Sequence, residues 1–120
     1  MSNNYNIPER VERLVRSRDK LCVYCRVRLK AYPRTKGAPR DKGTFEHIKN
    51  DASLTEETNI AMCCAACNSS KGIKTLSSWL ETEYCKKKNI NRKTVAHVVK
   101  QFLSSCNGDE ANTKYKLLTQ

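Results

Sequence analysis

The sequence predicts one α+β domain: two short strands and a helix, held by a four-cysteine zinc site and flanked by further helices. Three observations predict it. Two Cys-x-x-Cys pairs, Cys22/Cys25 and Cys64/Cys67, match the tetrahedral four-ligand demand of a structural zinc. Between the pairs, segments 44–48 and 59–63 have strand character. Elsewhere, apolar residues recur at helical spacing.

The N-terminal part is predicted to begin with a helix. Pro8 stands at a first helical position, and the helical pattern runs to about Lys20. A short cysteine turn follows, and then a basic stretch at 26–44 whose prolines and glycines interrupt any regular element. We interpret this stretch as a mobile basic loop.

The C-terminal part is predicted to be helical. A helix starts at about Ala65 and ends or bends at Gly72. Thr75 is expected to cap the next helix, which runs to about 87. A further amphipathic helix is predicted from Asn91 or Arg92 to 103, and it either covers the core or forms a dimer face. In so short a chain, we expect it to cover the core.

The length of 120 residues leaves room for one domain with a modest core. We place that domain at residues 1–105, with a strand-and-helix core at about 44–74 and a helical part at about 75–105. Residues 106–120 are interpreted as a weakly ordered tail.

The charge is strongly basic and unevenly distributed. Lys and Arg number 23 against 12 Asp and Glu, for a formal charge of +11. Residues 1–45 carry 12 basic and 4 acidic groups, 46–75 carry 3 and 4, and 76–120 carry 8 and 4. Basic flanks around a less basic centre suit a polyanion held beside a bound cation. An ordinary solvated surface is the alternative.

The seven cysteines raise the question of whether the protein works in an oxidising or a reducing compartment. The chain shows no N-terminal apolar segment of signal-peptide form and no run that approaches the length of a membrane span. We therefore expect a soluble cytoplasmic protein in which clustered cysteines bind metal. Cys63 is assigned to strand packing, and Cys85 and Cys106 to free thiols. A thiol redox protein is the alternative for the cysteine pairs.

Four stretches carry a family resemblance. They are Arg18-Asp19-Lys20-Leu21-Cys22-Val23-Tyr24-Cys25, Glu46-His47-Ile48, Asn59-Ile60 and Cys64-Ala65-Ala66-Cys67-Asn68-Ser69-Ser70-Lys71-Gly72. Together they resemble the HNH endonucleases of the ββα-metal nuclease group, in the form where cysteine pairs flank the motif.

The resemblance implies a role for each motif residue. His47 is the general base, and Glu46 and Asn68 hold a catalytic divalent ion, Mg²⁺ or Mn²⁺. Asn59 fixes the loop that carries His47. The chain departs from the family pattern at two positions, since Asp is usual where Glu46 stands and His is frequent where Asn68 stands. Independently of the family, hydrolysis of a phosphodiester needs an activated water and a cation on the phosphate.

The resemblance also implies a double-stranded DNA substrate, cut by a hydrolase acting on phosphodiester bonds. The residues expected to contact phosphates are Arg28, Lys30, Arg34, Lys36, Arg40, Lys42 and Lys71. For Lys71, a solvated position at the helix end is an equal alternative.

Because one site cuts one strand, a double-strand break requires a homodimer or two successive nicks. The rival hypothesis is a zinc-containing nucleic-acid-binding module that does not cut.

Overall fold

A computed structural model describes residues 6–32 and 39–105 of the chain. Within them, the elements are α1 (Glu9–Arg18), β1 (Gly43–His47), β2 (Ile60–Cys64), α2 (Ala65–Lys71), α3 (Leu76–Leu80), α4 (Glu83–Lys88) and α5 (His97–Ser104). The two strands form an antiparallel sheet. The predicted α+β class is therefore confirmed. No helix in the described ranges is long and apolar enough to cross a membrane.

The β1–β2 hairpin leads directly into α2. Phe45 faces Met62 and His47 faces Ile60 in the strand register. Cys64 ends β2 and caps α2, because its sulfur accepts the backbone N–H of Cys67 at 3.4 Å. Gly72, with φ of +51°, then ends α2. The strand, loop, strand, helix order predicted from the sequence is thus present.

Two apolar clusters sandwich the hairpin. The smaller cluster joins α1 to one face of the sheet through Val11, Val15 and Phe45. The larger one lies on the other side, where Trp79 and Tyr24 pack edge to face at 4.8 Å between ring centroids. Buried side chains of α5 join this larger cluster. The predicted core-covering role of the last helix is consistent with that burial.

The predicted helix from Thr75 to about 87 is wrong in its extent. Thr75 does cap a helix, since its hydroxyl accepts the N–H of Ser78 at 3.2 Å. That helix ends at Leu80, and Thr82 caps a separate helix by accepting the N–H of Cys85 at 3.4 Å. A threonine that competes for backbone N–H groups divides what the apolar pattern presents as one helix.

The last predicted helix begins later than expected. Asn91 accepts the backbone N–H groups of Lys93 and Thr94 at 2.8 and 3.2 Å, which forms a turn. The helix itself starts at His97. Val95, buried but outside the helix, extends the apolar pattern that predicted the longer element.

The basic stretch 26–44 is more ordered than expected where it is described. Leu21 and Arg28 form an antiparallel bridge, and Lys30 and Lys42 a parallel one. The first bridge attaches the stretch to the residue before Cys22, and the second attaches it to the residue before β1. Arg34 and Lys36 lie outside the described residues, as do Cys106 and the predicted tail at 106–120.

Candidate metal centre and candidate active site

The structure brings together the four cysteines that the two Cys-x-x-Cys pairs predicted. The sulfur atoms of Cys22, Cys25, Cys64 and Cys67 all lie within 4.8 Å of one another. Those of Cys25 and Cys64 are 3.7 Å apart. Four thiolates about 2.3 Å from a tetrahedral zinc are separated by about 3.8 Å, so the cluster fits such an ion. The cluster could hold a metal ion of the structural type, since all four candidate ligands are protein atoms.

Two of the sulfurs accept hydrogen bonds from neighbouring groups. The backbone N–H groups of Tyr24 and Cys25 both reach the Cys22 sulfur at 3.4 Å. The Tyr84 hydroxyl donates to the Cys67 sulfur at 3.3 Å. Contact with the Cys22 sulfur lowers the pKa of Cys64 to about 7, with Cys25 opposing the shift and Cys67 adding to it. Contacts with the other sulfurs raise the pKa of Cys22 and of Cys67. Metal binding requires thiolates, so an ion at the cluster would displace the protons of the cysteines whose pKa is raised.

The other described cysteines stand apart from this cluster. Cys63 is fully buried in β2, and its sulfur lies 3.7 Å from the Thr44 hydroxyl oxygen. This position agrees with the predicted strand-packing role. Cys85 is buried in α4, and burial raises the pKa of its thiol. Neither residue belongs to the four-sulfur group.

Glu46 lies inside the protein with two partners. Its Oε2 atom accepts a hydrogen bond from the Tyr24 hydroxyl at 2.8 Å and lies 2.9 Å from the Lys71 ammonium. Glu46 is 6% exposed, and Tyr24 and Lys71 are each 1% exposed. A buried carboxylate needs such compensation, because burial of a lone charge is very costly.

Lys71 does not have the predicted phosphate-contacting position. Its side chain turns from the last turn of α2 toward β1, where the ammonium meets Glu46 and also donates to the His47 carbonyl at 3.4 Å. A lysine that is 1% exposed and ion-paired does not reach a DNA backbone in this arrangement. The physical reason is that the Glu46 carboxylate, once buried, attracts the nearest cation.

His47 ends β1 beside that ion pair. The residue is half-buried, and its Nε2 atom is shielded from solvent. Burial lowers the pKa of the imidazole, and the charge of Lys71 adds to this effect, while those of Glu46 and Asp51 oppose it. The neutral imidazole, which can accept a proton, is therefore favoured at neutral pH.

Asn59 anchors the loop that follows His47. Its side-chain oxygen accepts the N–H of Lys49 at 2.7 Å, and its amide nitrogen donates to the carbonyls of Lys49 at 3.2 Å and Leu54 at 3.1 Å. The side chain is buried, at 6% exposure. Asn59 thus connects both ends of the hairpin loop near the candidate base.

Asn68 contacts β1 before Glu46. From α2, its amide nitrogen donates to the Thr44 hydroxyl at 2.9 Å and to the Phe45 carbonyl at 3.3 Å. Because both contacts use the nitrogen, the amide oxygen is the atom that can face a cation. Asn68 and Asn59 therefore bind the backbone on either side of Glu46 and His47.

The basic residues expected to contact phosphates have different surroundings. Arg28 and Arg40 are exposed. Lys30 is exposed and lies 3.5 Å from the Asp41 carboxylate, while Lys42 is half-buried at the start of the sheet. Within the described ranges, Arg28 and Arg40 form no ion pair, so they suit phosphate contact better than the paired Lys30.

Sequence reasoning missed Tyr24 and Lys71 as partners of Glu46. The sequence indicates for Tyr24 only a place in the cysteine turn. Lys71 follows Asn68 by three residues on α2, and residues at that spacing share a helix face. That spacing was the available signal that Lys71 points at β1 together with Asn68.

Comparisons with known proteins do not assign the chain to a family. No family model matches it, and no curated protein or solved structure matches it either. Its function is therefore inferred from the side chains and contacts of the described residues.

Proposed function

We propose that this chain is a small metal-dependent endonuclease of the HNH type that hydrolyses phosphodiester bonds of DNA. The observation that carries the proposal is the pair of amide contacts around Glu46 and His47. Asn68 binds the backbone before them, and Asn59 binds it after them. Two motif residues that are far apart in the chain thus contact β1 and the loop after it on either side of Glu46 and His47, which supports an active site there.

His47 is the proposed general base. In this proposal the imidazole accepts a proton from the attacking water, and the hydrogen bonds of Asn59 hold the loop behind it. Glu46 and Asn68 would hold Mg²⁺ or Mn²⁺ through oxygen atoms, which such ions prefer. When bound, the ion supplies a positive charge to the phosphate and the leaving oxygen.

The four-cysteine cluster holds Zn²⁺ in this proposal and takes no part in the chemistry. Four sulfur ligands favour zinc over magnesium or manganese. A zinc-bound cluster also disfavours the redox alternative, because its thiolates are committed to the metal. Such thiolates need a reducing compartment, for which the cytoplasm is the natural choice.

Double-stranded DNA is the proposed partner. The chain carries a formal charge of +11, and Arg28 and Arg40 are exposed beside the start of the sheet. Such residues bind the phosphate backbone irrespective of base sequence. A single chain with one such site nicks one strand, so a double-strand break requires a homodimer or two successive nicks.

Nicking of a supercoiled plasmid tests the proposal. Zinc-loaded protein with Mg²⁺ or Mn²⁺ should convert the plasmid to the open circle, while excess EDTA without divalent ions should prevent it. His47→Ala should lose the activity. Equal nicking by the wild type and His47→Ala, or none by either, would reject the mechanism.

A second candidate function is a zinc-containing nucleic-acid-binding module that does not cut. The ion pair of Glu46 and Lys71 favours it, because the carboxylate already has a cation at 2.9 Å. This candidate predicts that the wild type binds DNA in a mobility-shift assay but leaves the plasmid supercoiled with every divalent ion. DNA binding together with metal-dependent nicking excludes it.

A further inference from the structure

A buried cation is already present at the carboxylate that would hold the catalytic ion. The Lys71 ammonium lies 2.9 Å from Oε2 of Glu46, and the pair is 1% and 6% exposed. Tyr24 completes the group with a hydrogen bond of 2.8 Å to the same oxygen. The carboxylate is thus neutralised and hydrogen-bonded without a metal.

This arrangement differs from that of an ordinary helix-end lysine. Lysine side chains at the end of a helix usually extend into water, where the ammonium is fully hydrated. Lys74, which follows Lys71 closely, is exposed, and its ammonium donates to the Ser70 carbonyl at 3.3 Å on the surface. Lys71 instead gives up its hydration for Glu46 and the His47 carbonyl, 3.4 Å away. Such burial is costly unless the ammonium has a strongly attractive partner.

We propose that Lys71 is a built-in competitor for the divalent cation at Glu46, so that metal binding requires its ammonium to leave the carboxylate. This inference rests on the proposed function, in which Glu46 is a metal ligand. Two cations close to one carboxylate oxygen repel each other strongly inside a protein. Lys71 therefore weakens the metal affinity and keeps the carboxylate compensated when no metal is bound.

The position of Lys71 allows this exchange. It is in the last turn of α2, and the chain turns at the exposed Gly72 directly after it. The flexible four-carbon side chain can withdraw its ammonium from Glu46 while the helix stays in place. No change in the hairpin or in the four-cysteine cluster is needed.

Binding of Mn²⁺ to the zinc-loaded protein tests the competition. Titration followed by the EPR signal of free Mn²⁺ compares the wild type with Lys71→Met, which removes the charge and keeps the length. We expect Lys71→Met to bind Mn²⁺ about tenfold more tightly or better. Lys74→Met, a matched loss of charge at an exposed position, should bind like the wild type. Equal affinity of the wild type and Lys71→Met, or no binding by either, would overturn the inference.

A double variant locates the ion. Glu46→Gln combined with Lys71→Met should lose the tight Mn²⁺ site, and retention of that site would show that the ion binds elsewhere and overturn the inference. This variant also avoids the buried lone carboxylate that destabilises Lys71→Met in the absence of metal.

A measurement on the unaltered protein gives a second readout. Acylation of lysines by an amine-reactive ester, followed by mass spectrometry, should find Lys71 protected without divalent ions. Saturating Mn²⁺ should increase its labelling severalfold, while labelling of Lys74 stays constant. Unchanged protection of Lys71 at saturation would contradict the displacement. Both tests measure binding, so an inactive protein that shows the competition would count against the endonuclease and not against this inference.

Discussion

The side-chain amide of Asn59 binds both backbone polar groups of Lys49. The Lys49 N–H donates to the amide oxygen at 2.7 Å, and the amide nitrogen donates to the Lys49 carbonyl at 3.2 Å. This reciprocal pair closes the loop between the two strands directly behind His47. The position of the candidate base therefore depends on a residue from the opposite end of the hairpin loop.

Replacement of this amide should destabilise the protein. Asn59→Ala removes three hydrogen bonds and leaves backbone groups of a buried loop end without partners. We expect the free energy of unfolding to fall by about 1–3 kcal/mol, measured by urea denaturation. Asn50→Ala, at an exposed position of the same loop, should change it by less than about 0.5 kcal/mol. Equal effects of the two substitutions would show that the Asn59 contacts are unimportant.

The hydroxyl of Tyr24 should contribute to stability through Glu46. Tyr24→Phe removes the 2.8 Å hydrogen bond to a buried carboxylate, while the ring can keep its packing against Trp79. A hydrogen bond to a charged group contributes about 1.5–3 kcal/mol, so thermal or urea unfolding should show a loss of that size. Tyr32→Phe, which removes a hydroxyl bonded to the less buried Asp41, is the control and should cost less. Unchanged stability of Tyr24→Phe would contradict a stabilising hydrogen bond between Tyr24 and the Glu46 carboxylate.

Metal should be bound by the four-cysteine cluster and by no other cysteine of the described ranges. Cys67→Ser replaces one ligand and should reduce the zinc content and the thermal stability. Cys85→Ala removes a buried thiol outside the cluster and should retain the zinc of the wild type. Elemental analysis after gel filtration measures the zinc-to-protein ratio. Full zinc content in Cys67→Ser would refute the assignment.

DNA binding should weaken steeply as salt is added. Each phosphate contact contributes about 0.9 to the negative slope of log affinity against log salt concentration. Replacement of the exposed Arg28 and Arg40 together by alanine should therefore reduce the slope by about 1.8 in a fluorescence anisotropy titration. Alanine at Lys86 and Lys87 of α4 removes the same charge from another element and should reduce it less. If the DNA affinity of the wild type does not change with salt concentration, phosphate contacts do not contribute to binding.

Local spacing was sufficient to predict the centre of the fold. The two Cys-x-x-Cys pairs predicted a four-sulfur cluster, because four ligands of one metal must meet in space. Gly72 and Thr75 marked the end of one helix and the start of the next, since their conformational and hydrogen-bonding preferences are local. These features depend on neighbouring residues, so a single sequence contains them.

Other features depend on contacts between distant parts of the chain. The helix break at Thr82 is a local exception, because its hydroxyl accepts the N–H of Cys85 three residues later while the apolar spacing continues across the break. The burial of Lys71 depends on Glu46, which lies on another element and supplies the charge that makes burial tolerable. The three-residue spacing from Asn68 indicates the helix face of Lys71, but the carboxylate that stabilises its burial cannot be identified from that spacing.

The nicking rate of His47→Ala tests the central claim most directly. With zinc-loaded protein in excess over supercoiled plasmid and saturating Mn²⁺, loss of a general base should slow nicking by about 10²–10⁴-fold. His97→Ala, which removes the other histidine from an exposed position on α5, should nick at the wild-type rate. Wild-type nicking by His47→Ala would contradict the assignment of this residue as the catalytic base.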